Sequence, residues 1–193
     1  MKTLLLSCIA LLGAGITAVY ADPKPMSTQE AVIHTSAGDM TIQFWSDAAP
    51  NTIANFIKLA KQGFYNGTAF HRIVKGFMIQ GGDPLTKDAS KEDMWGTGDP
   101  GYKIKAEFNA HHHERGVISM ARSSDPDSAG SQFFICLGDA GFLDGKYTAF
   151  GKLIKGDDVL GKIGDTPVTV GSGGERSKPT QRIEIKSIDI IAQ

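Results

Sequence analysis

The residues predict a mainly β fold: an eight-stranded antiparallel closed β-barrel capped by two α-helices. Three observations lead there. Eight short runs rich in β-branched and aromatic residues are set apart by Gly, Pro and Asp. None is followed by the regular helix that a parallel sheet would need. Only two segments have helical spacing, and closing the strands on themselves removes the edges that so many short strands would otherwise expose.

The elements follow in order. Met1-Lys2, the apolar run Leu4 to Ile16 and the small residues Val19 and Ala21 read as a secretory signal over 1–21. The run is too short to span a bilayer. Residues 22–30, polar with two prolines, read as a flexible lead-in to a single domain at 31–193. Ala31–Thr35 and Met40–Trp45 flank a turn at Ser36–Asp39, and Met40, Ile42 and Phe44 share one face at period two. Asp47 to Asn51 supplies helix-start chemistry, with Pro50 tolerated in the first turn. Ile53, Phe56, Ile57 and Ala60 then form a stripe that ends at Gly63. The other strands are Phe70–Val74, Phe77–Gly81, Gly116–Ala121, Gln132–Cys136, Thr148–Leu153 and Ile183–Ile191, with a second helix at Asp157 to Ile163. Pro84–Tyr102 and Gly171–Gly174 read as surface loops.

Composition excludes several function classes. With 20 Lys+Arg against 21 Asp+Glu, neither nucleic acid nor an anionic membrane is expected as a partner. Once the signal is removed, no remaining apolar run is long enough to cross a membrane, and a soluble monomer is expected. Cys8 leaves with the signal. Cys136, inside an apolar run, reads as core packing, so no disulfide is expected. The sequence has no His-Glu-x-x-His, Cys-x-x-Cys or Gly-x-Ser-x-Gly motif and no phosphate loop. Adjacent histidines in extended chain point to opposite sides, so His111, His112 and His113 read as a polar exposed turn, with no metal.

The densest chemistry lies in Phe70-His71-Arg72-Ile73-Val74-Lys75-Gly76-Phe77-Met78-Ile79-Gln80-Gly81-Gly82-Asp83. It reads as a hairpin that sets one cation, Arg72, and one amide, Gln80, among Phe and Met side chains. Three further segments add aromatic and amide groups: Ile118–Arg122, Gly130–Ile135 and Phe142–Tyr147. Together these motifs resemble the cyclophilins, from about Ala31 to the C-terminus.

The resemblance implies a peptidyl-prolyl cis/trans isomerase with no cofactor, acting on proline-containing polypeptides. Arg72 matches the family's catalytic arginine. Phe77, Met78, Phe134 and Leu143 match the walls of the proline pocket. Gln80 and Gln132 match groups that steer the peptide and hold the arginine, while Ala121 and Arg122 match the strand edge along which the peptide lies. Phe142, Tyr147 and Arg122 stand where well-known eukaryotic members have Trp, His and Asn. The first two look bacterial, and weak cyclosporin binding is expected without the indole N–H. Export then implies a periplasmic protein, or a secreted one, that assists the folding of exported chains. The competing reading is a non-catalytic proline-peptide binding module or chaperone using the same groove. The reaction breaks no covalent bond, so the missing nucleophile and metal motifs are what a rotation catalyst would show.

Overall fold

The computed structural model describes residues 29–171 and 173–192. The expected signal, and the lead-in as far as residue 28, lie outside the described residues. Strand β1 (Gln29–Thr35) starts two residues earlier than expected, because Gln29 and Glu30 already pair with Ala192 and Ile191. The other sheet strands are β2 (Gly38–Phe44), β3 (Thr68–Phe70), β4 (Arg72–Val74), β5 (Met78–Gly81), β6 (Val117–Met120), β7 (Phe133–Cys136), β8 (Ala149–Lys155) and β11 (Ile183–Ala192).

These nine form one antiparallel sheet in the order β3-β11-β1-β2-β8-β6-β7-β5-β4. The expected strand Phe70–Val74 is divided at His71. Phe70 pairs with Ile183 of β11, whereas Arg72 pairs with Gln80 of β5. One continuous segment therefore supplies both ends of the sheet and brings them together into a barrel. Counted as one broken strand, it returns the expected eight.

Period two sorts the side chains to the two sides of the barrel wall. On β7, Phe133 and Ile135 join the main core with Ile33, Met40, Ile42 and Phe150. Phe134 and Cys136 face the other way, into a smaller cluster with Met78, Val117 and Leu143. The candidate site is built on that second cluster.

Helix α1 (Pro50–Lys61) buries Ile53, Phe56, Leu59 and Ala60. Phe56 lies against Phe44, Tyr65, Phe133 and Phe150, with ring centroids 5.1–5.7 Å away. Truncating such a side chain to Ala would cost about 3–5 kcal/mol. The helix starts inside Asp47–Asn51 as expected, with Pro50 in its first turn. Ala49 is the cap residue and makes no side-chain cap bond. Instead the Glu107 carboxylate accepts from the backbone N–H of Asn51 (3.1 Å) and of Thr52 (2.7 Å). An acid from a distant loop thus satisfies the free amides of the first turn. Helix α2 (Asp157–Gly164) buries Leu160 and Ile163.

Two elements depart from expectation. The segment 84–102 contains 3-10 turns at Pro84–Lys87 and Ala89–Met94. Beyond α2, β9 (Val168–Val170) and β10 (Arg176–Pro179) form a separate hairpin. Val168-Thr169-Val170 is too short to stand out as a strand, and β10 is polar and ends in Pro.

Candidate active site

The β4–β5 hairpin starts the site. Its register sets Arg72 directly opposite Gln80, and β7 sets Phe134 opposite Gln80 on the other side. Directly opposed residues share a face, so Arg72, Gln80 and Phe134 form a row on the outer side of the barrel. Met78, two residues from Gln80, points the same way and is buried. Phe142 and Leu143 arrive on a 3-10 turn at Gly141–Leu143, and Tyr147 just before β8. Ala121 and Arg122 continue from β6. With Phe77, these residues line a cavity of about 280 Å³.

The floor is apolar and the rim is open. Phe134, Met78 and Leu143 are buried, whereas Phe142 is 63% exposed and leans on Phe77, centroids 5.3 Å apart. Tyr147 meets Phe134 edge-on at 5.9 Å. Of the expected site residues, only Gln132 lies outside this lining. It borders an adjoining hollow of about 350 Å³ that shares Gln80, Ala121 and Arg122 with the first. A third hollow of about 380 Å³ lies beyond Arg72 and shares Arg72 and Gln80. The result is a groove running past Gln80, suited to an extended chain.

A relay of amides fixes the arginine from one side. Gln132 Nε2 donates to the carbonyls of Gly96 (2.9 Å) and Gly98 (2.8 Å). Gln80 Nε2 donates to Gln132 Oε1 (3.0 Å), and Arg72 Nη1 donates to Gln80 Oε1 (3.2 Å). The anchor of this relay is Asp83, a fully buried acid that sequence reasoning passed over. Its carboxylate accepts from the N–H of Leu85 (2.7 Å), Gly96 (2.5 Å) and Gly98 (3.2 Å), folding 84–98 back over the barrel. Gly98 must be glycine there: a Cβ would stand 2.0 Å from Asp83 Oδ1. Gly82 has φ +84°, and a Cβ on it would stand 2.5 Å from the Ser131 carbonyl oxygen.

The second support was also missed. Glu175, on the loop entering β10, takes Arg72 in a two-pronged ion pair, Nε to Oε2 at 2.6 Å and Nη2 to Oε1 at 2.9 Å. Those hydrogen bonds hold the Glu175 carboxyl below its usual range. Gly173 and Gly174, part of the stretch read as a plain surface loop, lead directly into this acid. Nothing local to Glu175 signals a partner 103 residues away.

The three histidines correct the expectation of a polar exposed turn. His111 stacks on Trp45 with centroids 3.8 Å apart. His112 is exposed and lies between Asp144 (Nδ1–Oδ2 2.6 Å) and Asp139 (Nε2–Oδ2 3.3 Å). His113 is only 1% exposed, because it turns inward behind Phe134. Its Nδ1 meets Asp144 Oδ1 at 2.8 Å and its Nε2 meets Ser119 Oγ at 3.0 Å. With the carboxylate accepting at Nδ1–H, Nε2 is left to accept the serine hydroxyl. The three rings diverge, and among the described residues no group of three or more His, Cys, Asp or Glu is placed to hold a metal ion. Asp144 follows Leu143 directly, so the His113 contact ties the wall of the cavity to β6.

Arg122 and Tyr147 act together. The Arg122 guanidinium lies 4.4 Å from the Tyr147 ring centroid and donates to the Lys146 carbonyl from Nε (3.1 Å) and Nη2 (2.8 Å). Tyr147 gives the cation a ring face to rest on, so the two departures from the eukaryotic pattern are physically linked.

Comparisons with known proteins agree with this fold. A family model described as cyclophilin type peptidyl-prolyl cis-trans isomerase matches residues 31–190. The peptidyl-prolyl cis-trans isomerase-like 3 protein of Dictyostelium discoideum is 41% identical over 162 residues, covering 83% of this chain and 94% of its own length. A peptidyl-prolyl cis-trans isomerase of Helicobacter pylori is 44% identical over 140 residues, covering 70% of this chain and 80% of its own length. Longer proteins match as well. The isomerase-like 2 protein of Cryptococcus neoformans is 41% identical over 169 residues, or 87% of this chain, and the match spans 28% of that relative's length. A crystal structure of a cyclophilin type isomerase from Cryptosporidium parvum superposes with a TM-score of 0.76 at 33% identity, covering 86% of this chain and 99% of that one. The same protein in the presence of the dipeptide Ala-Pro gives 0.75 at 34% identity, covering 85% and 99%.

Proposed function

The chain belongs to the cyclophilin-type peptidyl-prolyl cis-trans isomerase family, and on that premise we propose that it turns Xaa-Pro bonds in the groove between Arg72 and Phe142. The observation that carries this reading is a braced cation at the mouth of a cavity with an apolar floor. Amide resonance makes the barrier to rotation. Phe134, Met78 and Leu143 give the cavity an apolar floor for the proline ring, and a ring seated there would displace the water that stabilises the planar, charge-separated amide. At the twisted state the proline nitrogen regains its lone pair. An Arg72 N–H directed at that nitrogen favours the twisted form over the planar one, and such a difference in binding is what lowers a barrier. A thousand-fold acceleration needs only about 4 kcal/mol.

Gln80 and Gln132 orient the peptide backbone along the groove, and Ala121 and Arg122 offer it an edge. The Cryptosporidium parvum structure obtained in the presence of Ala-Pro supports proline-containing chains as the ligand class. A protease-coupled assay on an Ala-Pro peptide tests the proposal. A wild-type rate no greater than background, with peptide binding retained, would point to the binding-module reading instead.

Two finer proposals come with it. The 1–21 segment supports export and a periplasmic or secreted setting, with newly exported chains as clients; N-terminal sequencing of the fractionated protein checks cleavage after Ala21. The Phe142 position supports weak cyclosporin inhibition, because its ring offers no N–H donor. Inhibition at stoichiometric cyclosporin would contradict that.

A further inference from the structure

We infer that Glu175 is a positioning residue for the reaction: its two-pronged hold on Arg72 selects which guanidinium hydrogens face the substrate. The inference rests on the isomerase reading above. A guanidinium carries five N–H hydrogens in a rigid plane. Glu175 takes the Nε–H and one Nη2–H, at 2.6 and 2.9 Å. Gln80 takes one Nη1–H at 3.2 Å, with Met78 Sδ 3.9 Å from the same nitrogen. Held on two sides, the plane cannot spin about its long side chain, and the hydrogens left over are one on Nη2 and, apart from the weak contact with Met78 Sδ, one on Nη1.

The carboxylate has two opposing effects. It draws charge from the donor, which would weaken a bond to the proline nitrogen. It also prepays the ordering of a flexible side chain. Arg72 and Glu175 are 35% and 47% exposed, so solvent screens the first effect. The geometric effect is not screened, and small misplacements of a catalytic group are costly. Positioning therefore dominates.

The test measures kcat and KM separately for the full chain on an Ala-Pro peptide, with the Glu175→Gln, Glu175→Asp and Arg72→Ala variants and the Arg72→Ala/Glu175→Gln double variant. Gln has a single carbonyl acceptor and must turn its amide toward the other donor. The expected result is a fall in kcat of about tenfold for Glu175→Gln with KM changed less than about twofold. Glu175→Asp should recover part of it, and Glu175→Gln should cost nothing further in the Arg72→Ala background. An unchanged or raised kcat in Glu175→Gln overturns the inference, as does an equal loss in both backgrounds, which would mean a purely structural role. A wild-type rate with an indifferent Glu175→Gln sinks this inference alone; a wild-type rate at background sinks the isomerase reading along with it.

Discussion

Replacing Arg72 with Ala separates catalysis from stability. The side chain supplies the cation that is hydrogen-bonded to Gln80 at the edge of the cavity, so its loss removes a charged hydrogen bond to the twisted-state nitrogen. Such bonds are worth about 1.5–3 kcal/mol, which predicts a fall in kcat/KM of about 10- to 150-fold. Folding should scarcely notice. The abandoned Glu175 is 47% exposed and can be solvated, and exposed pairs are worth only about 0–1 kcal/mol. At this chain length that corresponds to a Tm change of about 4 °C or less. The protease-coupled assay and a thermal melt on the same sample read both quantities. An Arg72→Ala protein within twofold of wild type would refute the reasoning. So would a large drop in Tm, which would make Arg72 a fold residue instead. Arg72→Lys should behave almost like Ala, because an ammonium cannot satisfy Gln80, Glu175 and a substrate in one plane.

Other outcomes follow from single contacts. Glu107→Ala should destabilise the fold by about 1 kcal/mol through the uncapped start of α1, read by denaturant unfolding; an unchanged midpoint would show that solvent replaces the cap. Burial pushes the Cys136 thiol up to about 12, so a thiol reagent should leave the native protein unlabelled and react only on unfolding. Bonding to Asp144, then to Asp139, raises His112 above its ordinary 6.5, while His112 and the His113 amide hold Asp144 well below the usual carboxylate range. The His112 contribution is therefore complete below pH 6.5 and fades as pH rises through the raised value. The Asp144 contribution is complete above its ordinary 3.8 and is lost as pH falls through the depressed one. An NMR titration of the His112 ring should give a midpoint above 6.5 that drops in Asp144→Asn, and a wild-type midpoint at or below 6.5 would contradict the contact.

Much of the fold is legible along the chain because its signals are local. Met40, Ile42 and Phe44 alternate, and all three enter the main core. The α1 stripe of Ile53, Phe56 and Ala60 is buried at helical spacing. The β4–β5 hairpin itself is legible but its register is not: a two-residue turn at Lys75–Gly76 would set Arg72 opposite Ile79, whereas Phe77 joins the turn and Arg72 faces Gln80. Where local pattern conflicts with tertiary pairing, the reading fails. His71 breaks what looks like one strand because its two neighbours pair with different partners. His113 looks like part of a polar turn, yet it is buried because Asp144 and Ser119 satisfy both ring nitrogens.

The sequence by itself determined the barrel class and the helix stripe, because periodicity and turn residues act over a few positions, and its resemblance to the cyclophilins implied the groove in which Arg72 and Gln80 sit among Phe77, Met78 and Phe134. Only the tertiary structure decided how that arginine is held. Glu175, Asp83 and Glu107 work through partners up to 103 residues away or through backbone amides of another loop. A lone acid in a polar segment has no neighbour pattern to betray it; its role exists only once the barrel has closed and brought the two ends of the sheet together.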